Sequence, residues 1–73
     1  MRECSKTLLV EFQKYYLRTQ DNNFSPDQYE FIPDCESAIS ELRYLNVLER
    51  EEFIDGSISF TSKYLEKLHS LNR

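Results

Sequence analysis

The sequence predicts a mainly α domain of the α+β class, in which three to four helices accompany one two-stranded β-hairpin. Three observations point there. Apolar residues recur at helical spacing in several segments, Asp55-Gly56 is a tight-turn dipeptide, and branched or aromatic residues flank that turn. A chain of 73 residues has room for a single core, so we expect one domain over residues 1–73.

The first helix is predicted over residues 4–19, with Ser5 as its N-cap. Apolar side chains recur there at steps of three and four, which places them on one face. That face comprises Leu8, Leu9, Phe12, Tyr15, Tyr16 and Thr19. Glu11 and Lys14 fall on the other side, where they can pair. The polar cluster 20–23 should end the helix.

A short helix is predicted over residues 25–31. Ser25 at the N-cap, Pro26 at the first helical position and Gln28 at the third form the pattern of a capping box. Tyr29 and either Ile32 or Phe31 should face inward.

The third helix is predicted over residues 35–45, with Asp34 as its N-cap. Pro33 separates it from the preceding helix, because the residue before a proline avoids helical angles. Asn46 is expected to end it in the left-handed conformation. The apolar stripe of this helix consists of Cys35, Ala38, Ile39, Leu42 and Leu45.

Two strands are predicted around the Asp55-Gly56 turn, the first over residues 47–53. In the second, Ile58 and Phe60 should face inward, with Ser57 and Ser59 outward. A last helix is then expected over 62–71, capped by Thr61 or Ser62. Its inward face would hold Tyr64, Leu65, Leu68 and Leu71.

This order of elements carries a resemblance to a known family. The segment 38–49, AISELRYLNVLE, is similar to the end of a recognition helix running into a wing. The segment 58–65, ISFTSKYL, resembles the second wing strand and the helix after it. On these residues the chain resembles small bacterial or phage-type domains of the winged helix-turn-helix superfamily. The resemblance implies a winged-helix-like domain with a two-stranded wing, acting as a DNA-binding transcription regulator whose third helix enters the major groove.

The resemblance also implies which residues would contact double-stranded DNA. Bases would meet the outward side of the third helix, and phosphates would meet nearby cations. The expected contacts are Ser37, Ser40, Arg43, Tyr44, Arg50, Lys14 and Arg18, with Lys63 and Lys67 as further phosphate contacts. The charge pattern opposes this, because the net charge is -4 and residues 21–36 contain no base. Asp34 and Glu36 would lie in the first turn, where they repel phosphate.

A second function therefore stays open beside the first. The acidic belt over residues 21–55 and the generous supply of aromatic residues also fit a protein-protein interaction or dimerisation module without nucleic acid. Its partner would be a second copy of the chain or a basic protein. We expect neither a membrane association nor a small-molecule substrate, and the location should be cytoplasmic, with free thiols.

Enzymatic chemistry finds little support in the sequence, so a non-enzymatic protein without a cofactor is expected. His69 is the single histidine and has no nucleophile spaced for activation. Cys35 should pack as a small apolar residue, although its place in a helix first turn could lower the pKa of its thiol. Cys4 is expected to be exposed, and Cys4, Cys35 and His69 lack zinc-site spacing.

Overall fold

Helices form the architecture of the molecule. In the computed structural model, which describes residues 1–71 and the side chains of residues 1–70, α1 spans Glu3–Thr19, α2 spans Cys35–Tyr44 and α3 spans Ser62–Leu71. A short 3₁₀ helix, Pro26–Tyr29, lies between α1 and α2. Within the described range no β-strand is formed, so the domain is all-helical, and the predicted α+β class with its two-stranded wing is wrong.

The chain between α2 and α3 makes only isolated β-bridges. Leu48 pairs with Phe60, and Ile58 pairs with Phe24, both in antiparallel sense. An unbroken run of charged residues, 49–52, has no apolar side to bury, which removes the drive to extend the pairing into strands. The exposed Phe53 likewise contributes nothing to the core.

Backbone hydrogen bonds nevertheless connect residues 58–60 to two other segments of the chain, one on each side. The Ile58 N–H donates to the carbonyl of Phe24 at 2.9 Å, and the Phe24 N–H returns a bond of 2.7 Å. On the other side, the Glu49 N–H donates to Ser59 at 2.9 Å. Ile58 and Phe60 face inward as predicted, whereas Ser59, predicted outward, is buried between these neighbours.

Aromatic rings dominate the core. Phe12 stacks on Phe24 with 4.4 Å between ring centroids and meets the edge of Tyr29 at 4.8 Å. The Phe60 ring completes this cluster, and its centroid lies 4.9 Å from that of Phe24. Each such pair adds about 0.5–1.5 kcal/mol beyond the burial of its apolar area. Around the rings pack Leu8, Tyr16, Ile32, Ala38, Ile39, Leu42, Val47, Leu48, Ile58 and Leu68.

The boundaries of α1 and α2 match the helical periodicity to within one residue. α1 begins at Glu3, so Ser5 is a buried residue of its first turn and not its N-cap. α2 is followed by Asn46 with φ 62°, which confirms the predicted left-handed residue. The predicted pair of Glu11 and Lys14 is present, with 3.8 Å between charged atoms.

Helix capping follows the sequence only in part. Thr61 Oγ1 accepts the N–H of Tyr64 at 3.1 Å, the predicted cap of α3. Ser25 and Asp34 occupy N-cap positions, but neither side chain makes a capping hydrogen bond. Asp34 instead adopts φ 55°, a left-handed conformation that is unfavourable for a residue with a Cβ.

Several predicted inward positions are exposed. Leu45 and Thr19 lie on the surface, and Phe31 is 68% exposed while Ile32 takes the inward place. The expected inward position of Leu71 lies outside the described side chains. Gly56 adopts φ 83°, as its predicted turn requires.

Candidate binding surfaces

The outward face of α2 carries Ser37, Ser40 and Tyr44, all exposed as expected. They line an open cleft of about 520 Å³ together with Arg2, Glu36 and Glu41. The one cation of this cleft is engaged, because the Arg2 guanidinium donates to the Ser37 carbonyl at 2.8 Å and lies 3.7 Å from the Glu41 carboxylate. The described residues that line this cleft are therefore mostly polar, and the positive charge among them is already engaged.

Glu41 is held in its charged form. The buried Ser5 hydroxyl and the backbone N–H of Arg2, which donates to Oε1 at 3.0 Å, lower the pKa of Glu41 below its ordinary value. The Ser5 hydroxyl has no hydrogen-bond partner of ordinary geometry among the described residues, so the bond from the Arg2 N–H is the contact that the geometry shows. A stabilised carboxylate in this cleft disfavours an anionic ligand.

Arg43, expected to contact bases, is occupied within the chain. Its Nε donates to the carbonyl of Glu49 at 3.1 Å, and its Nη2 lies 3.4 Å from Glu52 Oε1. Arg50 is exposed and lines a depression together with Glu49 and Glu51. Both cations thus stand among carboxylates of the same loop.

Lys14 and Arg18 belong to a different surface. They line a depression between α1 and the 3₁₀ helix, which also includes Phe31. Lys14 is paired with Glu11, and the Arg18 guanidinium lies 5.8 Å from the centre of the Tyr15 ring. The seven predicted DNA contacts therefore do not share one depression: Ser37, Ser40 and Tyr44 line one, Arg50 a second, Lys14 and Arg18 a third, and Arg43 bonds to its own loop.

An apolar groove, missed by the sequence analysis, lies where α1, α3 and the chain leaving α2 meet. Its volume is about 470 Å³. The Gln13 side-chain amide of α1 donates to the Tyr64 hydroxyl of α3, which fixes the two helices beside it. Apolar side chains form most of its lining: Met1, Leu9, Leu45, Val47, Tyr64 and Leu68, with Asn46, Lys63 and Lys67 as the other lining residues.

Two lysines flank this groove on α3. Lys63 and Lys67 are exposed and stand one helical turn apart. Across the part of the chain that the structure describes, neither forms an ion pair. Their spacing around Tyr64 and Leu68 was the sequence signal that could have indicated an apolar site with a basic edge.

An exposed apolar tip projects from the loop between α2 and α3. We use "apolar tip" for residues 53–56, in which Ile54 is fully exposed and Phe53 more than half exposed. The Gly56 N–H donates to the Phe53 carbonyl at 2.8 Å, and the Phe53 N–H donates to Ser57 at 3.1 Å. Asp55 accepts the Ser57 N–H at 3.0 Å, a bond that lowers the pKa of Asp55 and helps to fix the turn.

The two cysteines are free and half-buried, which corrects the expected exposure of Cys4. Burial, and then the nearby carboxylates of Glu36 and Glu30, raise the pKa of the Cys35 thiol. The lowered pKa that its helix position suggested is therefore wrong. A thiol that stays protonated and packs against the core is a poor nucleophile.

His69 is exposed in the last turn of α3, and its Nε2 shares a hydrogen bond of 2.8 Å with the Tyr16 hydroxyl. Residues 1–71 contain no group of three metal-ligating side chains. Among these residues no helix has the length and apolar character needed to cross a bilayer.

Comparison with known proteins returned no relative: no family model, no curated protein and no solved structure matches this chain. The resemblance to winged-helix domains thus stays a prediction.

Proposed function

We propose that this chain is a non-enzymatic interaction domain whose apolar groove binds a segment of a protein partner. The observation that carries the proposal is the groove itself, an apolar concavity of about 470 Å³ beside Lys63 and Lys67, which form no ion pair with any described residue. Soluble proteins bury most apolar surface in the core, and a concave apolar patch with a polar edge is typical of a binding site.

The groove favours a ligand with apolar side chains flanked by carboxylates. Each apolar side chain buried in it contributes about 1.5–3 kcal/mol. Lys63 and Lys67 would add little affinity, since exposed ion pairs are worth about 0–1 kcal/mol, but they would orient the segment and speed its encounter. A dissociation constant on the order of 10–100 µM is expected after the cost of ordering the segment.

DNA binding is the weaker of the two functions considered from the sequence. The expected contacts are scattered, Arg43 is engaged by Glu49 and Glu52, and the outward face of α2 carries Glu36 and Glu41. These observations support an interaction domain that does not bind nucleic acid.

The test is a titration of the ¹⁵N-labelled full chain with a synthetic helical peptide that carries a leucine stripe flanked by glutamates. Backbone shifts should be confined to the residues around the groove, which are 1, 9, 45–47 and 63–68. The same peptide with lysines in place of the glutamates should bind more weakly. Shifts spread over other surfaces, or no shifts at millimolar peptide, would overturn the proposal.

A matched pair of variants sharpens this titration. Leu45 lines the groove and Val10 of α1 does not, yet both side chains are 45% exposed. Leu45→Asp should weaken peptide binding at least tenfold, whereas Val10→Asp should leave it unchanged. Equal losses in the two variants would count against the groove as the binding site.

A further inference from the structure

We infer that the segment bound by the groove is the apolar tip of a second copy of this chain. The inference rests on the proposed function and names its partner. Two features of the molecule leave apolar surface exposed outside its core. One is the open groove, and the other is the apolar tip.

The apolar tip is shaped as a ligand. The Ile54 side chain is fully exposed to solvent, although a domain of this size gains stability from every apolar side chain that it buries. The two backbone hydrogen bonds across the tip, Gly56 to Phe53 and Phe53 to Ser57, already fix its turn. A preformed turn loses little conformational freedom on binding, which favours association.

The charges around the two features are complementary. Glu51 and Asp55 flank the exposed pair of apolar residues, and Lys63 and Lys67 flank the groove. None of these four forms an ion pair among the described residues. Glu52 is the acid of this loop that is already engaged, by Arg43.

The positions of the tip and the groove allow two copies to exchange tips. Asn46 lines the groove and also lines the depression that contains Glu49, Arg50 and Glu51, so the groove and the base of the loop are adjacent surfaces. A two-fold axis would then place each tip in the groove of the other copy and close the assembly as a dimer. Each contact would bury only a short turn in one groove, so a weak dimer is expected.

Sedimentation velocity of the full chain tests this, from about 10 µM to 1 mM protein at low and high salt. We expect a monomer–dimer equilibrium that weakens several-fold as the salt concentration rises. Ile54→Ser should abolish the dimer, and it should leave folding intact because Ile54 is fully exposed. Phe31→Ser, which removes another exposed apolar side chain outside both features, should leave the dimer unchanged.

A charge exchange identifies the two surfaces as partners. Glu51→Lys alone and the double variant Lys63→Glu/Lys67→Glu should each associate several-fold more weakly than the natural chain. Mixed together, they should regain association, because one contact then pairs the new lysine with the new glutamates and the other contact is native. Absence of recovery in the mixture would overturn the proposed pairing.

The outcomes separate this inference from the proposed function. A chain that stays monomeric at 1 mM but still binds the leucine and glutamate peptide in its groove overturns self-recognition and leaves the groove as a binding site. A dimer that is insensitive to Ile54→Ser also overturns the inference, because its interface then lies elsewhere. A monomer that binds no peptide removes both proposals.

Discussion

Asn22 brackets the backbone of Phe60, a residue 38 positions away. Its Oδ1 accepts the Phe60 N–H at 2.9 Å, and its Nδ2 donates to the Phe60 carbonyl at 3.3 Å. One side-chain amide thereby satisfies both backbone polar groups of a core residue. A neighbouring strand would do the same in a sheet, and buried backbone groups rarely stay unpaired.

Asn22→Ala should therefore destabilise the domain by about 1–3 kcal/mol, since it leaves the Phe60 N–H and carbonyl unsatisfied. Urea denaturation followed by circular dichroism measures the change. The exposed neighbour Asn23 provides the control, and Asn23→Ala should stay within about 0.5 kcal/mol of the natural chain. Equal effects at the two positions would contradict the bracketing role.

Phe12→Ala should cost about 3–5 kcal/mol, because Phe12 is fully buried and contacts both Phe24 and Tyr29. Small domains have a total stability near 5 kcal/mol, so the variant should lose its cooperative thermal transition. Phe31→Ala removes the same ring from a position that is 68% exposed and should melt like the natural chain. A cooperative transition in Phe12→Ala within a few degrees of the natural Tm would contradict this assignment of the core.

Glu41 should make stability depend on pH in the acidic range. Its pKa is lowered from the ordinary 4.5 by the Ser5 hydroxyl and the Arg2 N–H, so the folded state binds its proton less readily than the unfolded state. The resulting stabilisation is fully present above pH 4.5 and is lost as the pH falls through the lowered folded value. Carboxyl ¹³C titration should find the pKa of Glu41 below 4.5.

Two variants check the origin of this effect. Ser5→Ala should move the pKa of Glu41 back toward its ordinary value, because Ser5 is the largest cause of the shift. Glu41→Gln should be less stable than the natural chain near neutral pH. The difference in free energy of unfolding between the two should shrink as the pH falls and Glu41 becomes protonated. A pKa of Glu41 at or above 4.5 in the natural chain would be inconsistent with the described geometry.

Arg43→Met should loosen the loop over residues 49–52 while changing global stability by about 1 kcal/mol or less. The variant removes both the bond to the Glu49 carbonyl and the ion pair with Glu52. Hydrogen exchange should accelerate at the Glu49 amide, which bonds to Ser59. Arg50→Met is the control, and comparable acceleration in that variant would argue against an anchoring role of Arg43.

Duplex DNA of mixed sequence should not bind the chain at high micromolar protein and about 50 mM salt, conditions under which nonspecific binding is strong. The reason is the net charge of -4 and the dispersal of Lys14, Arg18, Arg43 and Arg50 over separate surfaces. A fluorescence titration measures it. Binding at about 10 µM or tighter would favour the regulator over the interaction domain.

Helices could be predicted from this sequence because their signals are local. The spacing of Leu8, Phe12 and Tyr16 defines the buried face of α1 without reference to the rest of the chain. The wing was predicted wrongly, because the turn signal at Asp55-Gly56 is local whereas a strand also needs an apolar side to bury, and residues 49–52 are all charged. The alternation at Ile58 and Phe60 identified which side chains face inward, but not that Ile58 would pair with Phe24.

The candidate sites were harder still to predict, for the same physical reason. The DNA contacts implied by the resemblance required a recognition helix beside a wing. In the structure, Arg43 of α2 instead bonds to Glu49 and Glu52 in the loop that follows. The groove combines Leu9, Val47 and Leu68, which meet only in the folded chain. The pattern had already placed Leu9, Leu45 and Leu68 on apolar helix faces, but it could not show that these faces border one open groove.

The aromatic residues of the core also provide an intrinsic fluorescence signal that reports on folding. The chain contains five tyrosines and no tryptophan, so tyrosine dominates its fluorescence, with phenylalanine as the weaker chromophore. Tyr16 and Tyr29 are packed in the interior, whereas Tyr44 is 82% exposed on α2. Tyr44→Phe would remove that solvent-facing fluorophore, so that changes in emission follow the packing of the interior more closely.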